Sequence, residues 1–156
     1  MSIQKTNTAL TANSNSTASF DNSMIYTSIQ AGEALKKLNQ FIGSQQRYAI
    51  NALCQGEERQ FFYAALVNMA NIVEAMPVTY ETNDQGDQAT VHLHYFTATA
   101  DFYITERDCM DEQLQAFGKA DLFSDGGEIG YINIIEILRF GAELDLHWQP
   151  KKLAEI

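Results

Sequence analysis

The hydrophobic period of this chain changes once, at Pro77, and that change constrains the fold more than any other feature. Before it, Phe62, Ala65, Leu66, Met69, Ile72, Val73 and Met76 recur at i, i+3 and i+4, the stripe of one helix face. After it, Val91, Leu93 and Tyr95 alternate with His92, His94 and Phe96, the two-residue period of a strand. Helices first and strands afterwards suggest an α+β fold, with N-terminal helices packed on one face of a mostly antiparallel sheet of about five strands.

The punctuation divides each half further. Ala31, Ala34, Leu35, Leu38, Phe41 and Ile42 predict a helix over 31–42 that Gly43 closes, and a second helix is expected over Gln45–Leu53. Glu57 and Glu58 sit where the dipole of the third helix favours acids, and Pro77 stops it. Thr97–Ala100 is a short link between the strand ending at Phe96 and a second one over Asp101–Glu106. A third strand is expected over Gln115–Phe123, with the small residues Ala116, Gly118 and Ala120 on one face. Ser124-Asp125-Gly126-Gly127 is turn chemistry leading into a strand at Glu128–Ile132. Asn133 with Glu136 resembles a capping box for a short helix ending at Gly141. Leu144, Leu146 and Trp148 then predict a last strand, and Pro150 a final helical turn through Ile156.

Residues 1–23 differ in composition from the rest: 13 of the 23 are Ser, Thr or Asn. Such a stretch buries too little surface to offset its ordering entropy, so it reads as a flexible tail. It lacks the apolar core of a secretory signal, which places the protein in the cytoplasm. The remaining 24–156 reads as a single domain, helical over 24–77 and sheet over 78–156, and the 156-residue length fits one hydrophobic core. No apolar run approaches the ~20 residues of a membrane span. Two cysteines, Cys54 and Cys109, are too few for a disulfide scaffold.

Five runs in the sheet half occur in order: Leu93-His94-Tyr95-Phe96, Asp101-Phe102-Tyr103-Ile104-Thr105-Glu106, Gln115-Ala116-Phe117-Gly118, Glu128-Ile129-Gly130-Tyr131-Ile132, and Glu143 to Pro150. Over roughly Val91 to Ile156 the chain resembles the bacterial proteins catalogued as domain of unknown function 2958, typically carried on plasmids, integrative elements and phages. The family offers no catalytic residues to transfer. The resemblance implies a genomic setting, an accessory gene of a mobile element, and not a chemistry.

Constellations that could carry chemistry are few. His92 and His94 share a strand face, and His147 would share one with Asp145; if those faces met, three imidazoles and a carboxylate could form a zinc-type site. Asp101, Tyr103, Glu106 and Asp108 could supply a general acid and base, although polar residues also belong on the solvated side of a strand. The run Glu81 to Asp87 fails as a calcium loop, because placing Gly86 at position six puts His92 where a bidentate Glu is needed. No nucleophile elbow, Walker loop or dinucleotide fingerprint occurs. No cofactor is expected.

Charge is the more informative feature. The chain has 20 Asp and Glu against 10 Lys and Arg, a formal net charge of −10, which argues against direct nucleic-acid binding. Between Glu74 and Glu136 there are 13 acids against Arg107 and Lys119 alone. Asp84, Asp87, Asp108, Asp111, Glu112, Asp125 and Glu128 fall in expected loops and turns; clustered at one end of the sheet they would steer the protein onto a basic surface. Tyr95, Tyr103 and Tyr131 could anchor the contact if exposed. The leading expectation is a non-catalytic mobile-element accessory protein. It would bind and inhibit a host nucleic-acid-handling defence complex, of the anti-CRISPR or anti-restriction type, through that acidic surface. The alternatives are a small metal-dependent hydrolase using His92, His94, Asp101 and His147, or a homo-oligomeric scaffold, a homodimer for instance, that uses the helical segment as its interface.

Overall fold

A computed structural model describes residues 24–123 and 125–156 of the chain; the tail expected over 1–23 lies outside the described residues. The architecture is α+β. Helix α1 spans Ser28–Lys37, α2 Ser44–Leu53 and α3 Arg59–Ala75. Thr27 opens α1 with a full capping box: its hydroxyl accepts from the Gln30 N–H, and the Gln30 side chain accepts from the Thr27 N–H at 2.9 Å. The helix stops before Leu38, five residues earlier than its apolar pattern. Leu38, Phe41 and Ile42 are buried all the same, carried into the core by a turn in which Phe41 N–H donates to the Leu38 carbonyl at 2.9 Å. Burial continued past the point where the helical hydrogen bonding ended. Pro77, which has no N–H to donate, follows the end of α3. No described helix is long and apolar enough to cross a membrane.

The strands are β1 (Thr90–Val91), β2 (Leu93–Phe96), β3 (Asp101–Glu106), β4 (Ala116–Asp121), β5 (Glu128–Ile132), then helix α4 (Ile134–Arg139), β6 (Glu143–Leu144) and β7 (Lys151–Lys152). Five of them form one antiparallel sheet in the order β5-β4-β3-β2-β6, while β1 pairs with β7 in a separate two-stranded ladder. Because β5 and β6 are opposite edges, α4 crosses the whole sheet between them. Asn133 caps α4 by accepting from the Glu136 N–H at 2.9 Å, and Gly141 ends it at φ 88°, a conformation few side chains tolerate.

Two C-terminal expectations need correction. The strand predicted over Leu144–Trp148 ends at Leu144, because the Asp145 side chain accepts from the His147 N–H at 2.9 Å and turns the chain. The final segment is extended at Lys151–Lys152, with only a single 3-10 turn over Leu153–Glu155. Its backbone completes the β1 ladder, Thr90 opposite Lys152.

The helices cover one face of the sheet. Val91, Leu93, Tyr95, Ile104, Ala116, Ile132 and Leu144 point into a single apolar cluster with Leu38, Phe41, Ile50, Leu66, Met69 and Val73. Gly118 lies in this face opposite Ile104, and a Cβ there would overlap the Tyr103 carbonyl, so the close approach of β3 and β4 requires glycine. The outer edge of β6 is covered by one side chain: Gln46 of α2 donates to the Leu144 carbonyl at 2.7 Å and accepts from its N–H at 3.0 Å.

Candidate functional site at the hairpin end of the sheet

The outer face of the sheet carries the residues that alternate with the core: His94, Phe96, Asp101, Tyr103, Phe117, Lys119, Ile129 and Tyr131, matched across strands as His94–Tyr103, Tyr103–Lys119 and Phe117–Tyr131. At its centre the His94 imidazole stacks on Tyr103 (centroids 5.0 Å) and lies against Trp148 (4.9 Å). Its Nε2 is 2.8 Å from Asp101 Oδ1, and its Nδ1 is 3.3 Å from Asp145 Oδ2. With both ring nitrogens engaged and only 13% of its side chain exposed, His94 has no lone pair turned to a ligand.

The three histidines are not brought together. His92 is half-buried on the outer face, where burial and then the Lys152 charge hold its imidazole below the ordinary value. His147 leaves the sheet altogether and stacks on Phe61 of α3 (centroids 5.4 Å). Among the described residues, no group of three His, Cys, Asp or Glu side chains lies close enough to hold a metal ion. The expected zinc-type convergence required Asp145 and His147 to share a strand face, and the turn at Asp145 removes that premise.

The acidic residues separate into two groups, not one. The first surrounds the end of the sheet where the segment after α3 runs beside the β3–β4 loop, Val78 bridging Arg107. Asp84, Asp87, Asp111 and Glu112 are exposed there. The second group lies at the other end of β4: Asp101 and Asp121 directly opposite each other, Asp125 and Glu128 in and beyond the β4–β5 turn, and Glu143 opposite Phe96. The six residues of β4 put about 17–20 Å between the groups.

Two acids of the first end belong to the interior. Glu106 is 1% exposed and accepts from the Tyr80 N–H at 2.8 Å and from both the N–H and the hydroxyl of Thr82 at 2.6 Å. These bonds hold Tyr80 at φ 82°, a conformation rare for a bulky side chain. Asp108, expected as an exposed partner contact, is 4% exposed and accepts from the N–H groups of Met110, Leu114 and Gln115 at 2.9–3.0 Å. Burial alone would raise its pKa; those backbone hydrogen bonds, with one from Cys109, outweigh it and hold the carboxyl below its ordinary value.

Of the three tyrosines, Tyr95 is fully buried and its hydroxyl donates to the Phe41 carbonyl at 3.0 Å, so it cannot anchor a partner. Tyr103 is half-buried under His94 and Trp148, and burial, with the charges of Asp101 and Asp121, raises its pKa. Tyr131 is 58% exposed; its hydroxyl donates to that of Tyr80 at 3.2 Å, and this bond leads the causes that raise its pKa.

The hairpin end adds what the charge pattern did not reveal. Thr97–Ala100, Phe102, Leu122, Ile137, Phe140 and Gly141 enclose a hollow of about 530 Å³ between the β2–β3 hairpin, the end of β4 and the end of α4. Phe140 stands within it at 80% exposure, and Leu122, about half exposed, is followed in the chain by Phe123 at 79%. An apolar hollow with exposed aromatic groups, at a sheet end bearing five carboxylates, has the anatomy of a protein-docking site with an apolar centre and a charged rim. The apolar pair Leu122-Phe123 directly before a turn is the signal the sequence offers for it, whereas Phe140 fits the helix pattern. No family model, curated protein or solved structure matches the chain.

Proposed function

We propose that this protein is a non-catalytic binding module that docks a basic protein partner at the hairpin end of its sheet. The carrying observation is the apolar hollow of Phe102, Leu122, Ile137 and Phe140 at the sheet end that also bears Asp101, Asp121, Asp125, Glu128 and Glu143. An apolar side chain of the partner would fill the hollow, and its Lys and Arg residues would meet the surrounding acids, which favour fast, salt-sensitive encounter. The resemblance to the mobile-element family supports the more specific form: a cytoplasmic accessory protein that occupies the phosphate-binding surface of a host defence complex of the anti-CRISPR or anti-restriction type. In this reading Asp125 and Glu128 contact the partner. Asp108 and Tyr95 do not, being committed to the fold. Dispersal of the histidines leaves the hydrolase reading without a supporting constellation.

Capture from host lysate tests this, with the wild type run beside Asp121→Lys, Asp125→Lys, Glu128→Lys in one chain and Asp111→Lys, Glu112→Lys in another. The expected result is a captured nucleic-acid-binding protein that added DNA or RNA displaces, lost with the first variant and kept with the second. Retention by the first variant, or a partner indifferent to nucleic acid, overturns the reading. Self-association of the purified chain through its helices would instead favour the scaffold alternative.

A further inference from the structure

Away from the hairpin end, the local balance of charge reverses. A cavity of about 430 Å³ opens between the end of α1, the end of α3 and the β3–β4 loop, and Lys36, Lys37 and Arg107 line it against Glu74 and Asp111. That is one net positive charge in a chain whose total is −10. Three of its few cations, brought from positions about seventy residues apart, converge on one hollow. Glu74 is already neutralised by Lys37, 2.6 Å away. Arg107 forms no ion pair with any described carboxylate, and its side chain reaches only the Asp108 carbonyl, at 3.5 Å. Its Nε is buried with no hydrogen-bond partner among the described residues. That N–H is out of a ligand's reach, but the terminal donors of the guanidinium, bound only by the long contact to the Asp108 carbonyl, are left for an oxygen anion that the fork of an arginine can grip.

We infer that this cavity is a binding site for a small phosphate-bearing molecule, with Arg107 as the fork and Lys36 as the second cation. The volume is that of a small-molecule site. Two cations without an ion-pair partner among the described residues match a dianionic phosphate better than a single carboxylate. Asn39 and Gln40 on the same wall can donate to further oxygens. Asp111 works against the anion and sets the affinity below its ceiling.

The test is calorimetry and thermal denaturation of the full chain with inorganic phosphate, pyrophosphate and AMP, each against sodium chloride at equal ionic strength. Saturable stabilisation by at least one phosphate compound is expected. Arg107→Gln should weaken it about tenfold or more, the loss of one charge-assisted hydrogen bond. Lys36→Gln, at an exposed position, should weaken it about threefold by removing a second charge, and Asp111→Asn should tighten it. No stabilisation beyond the chloride control overturns the inference, as does binding that neither Lys36→Gln nor Asp111→Asn changes. If Arg107→Gln fails to fold, those two surface variants decide the matter. None of these residues lies at the hairpin end, so this result and the partner-capture result stand or fall separately.

Discussion

The two ends of the sheet use the same residue type for opposite purposes. At the loop end, Glu106 and Asp108 are buried, and each carboxylate gathers at least three hydrogen bonds from a segment that has little regular structure of its own. At the hairpin end, Asp125, Glu128 and Glu143 are exposed beside an apolar hollow. A buried carboxylate with several N–H donors replaces its lost water and organises backbone, whereas an exposed one keeps its water and exerts its field outward. Counting acids along the chain therefore overstated the surface charge of one end and hid the apolar character of the other.

The sharpest way to break this contrast is Glu106→Ala. It strips acceptors from Tyr80 and Thr82 and releases the positive φ of Tyr80, and about 3 kcal/mol of stability should disappear from urea denaturation. A loss below about 1 kcal/mol would mean that the buried acid does not organise the loop. Asp108→Asn should cost about 2 kcal/mol at neutral pH, because an amide accepts with one oxygen where the carboxylate uses two.

The pH dependence of Asp108 follows from its lowered folded-state pKa. Its contribution is complete above the ordinary aspartate value of 3.8 and is lost as the pH falls below that value and through the lower folded one. Acid titration of stability should therefore be shallower in Asp108→Asn than in the wild type over that window. Equal slopes would assign the acid sensitivity elsewhere. At the hairpin end the effects on stability should be the smallest: Asp125→Lys and Glu128→Lys, each exposed, should stay within about 0.5 kcal/mol of wild type. A larger loss in either would show that this end is structural too.

Much of the fold was legible because local patterns and tertiary demands agreed. The alternation Leu93-His94-Tyr95 gave both the strand and its buried side, and Asn133 and Gly141 marked the ends of α4 by cap chemistry that depends on near neighbours only. The candidate site was less legible. Phe140 read as one more helix residue, and its exposure depends on where α4 ends relative to the β2–β3 hairpin, across some forty residues of chain. His147 read as a strand histidine because its spacing from Leu146 and Trp148 fits a strand; one hydrogen bond from its N–H to Asp145 overrode that spacing.

By itself, the sequence determined the fold class, the buried face of β2, and the net charge, since these depend on period and composition. Only the tertiary structure decided which acids point outward, where the apolar hollow opens, and that Arg107 and Lys36 line one cavity. Those outcomes depend on contacts between segments far apart in the chain, and a one-dimensional pattern carries no record of which distant groups will share a space.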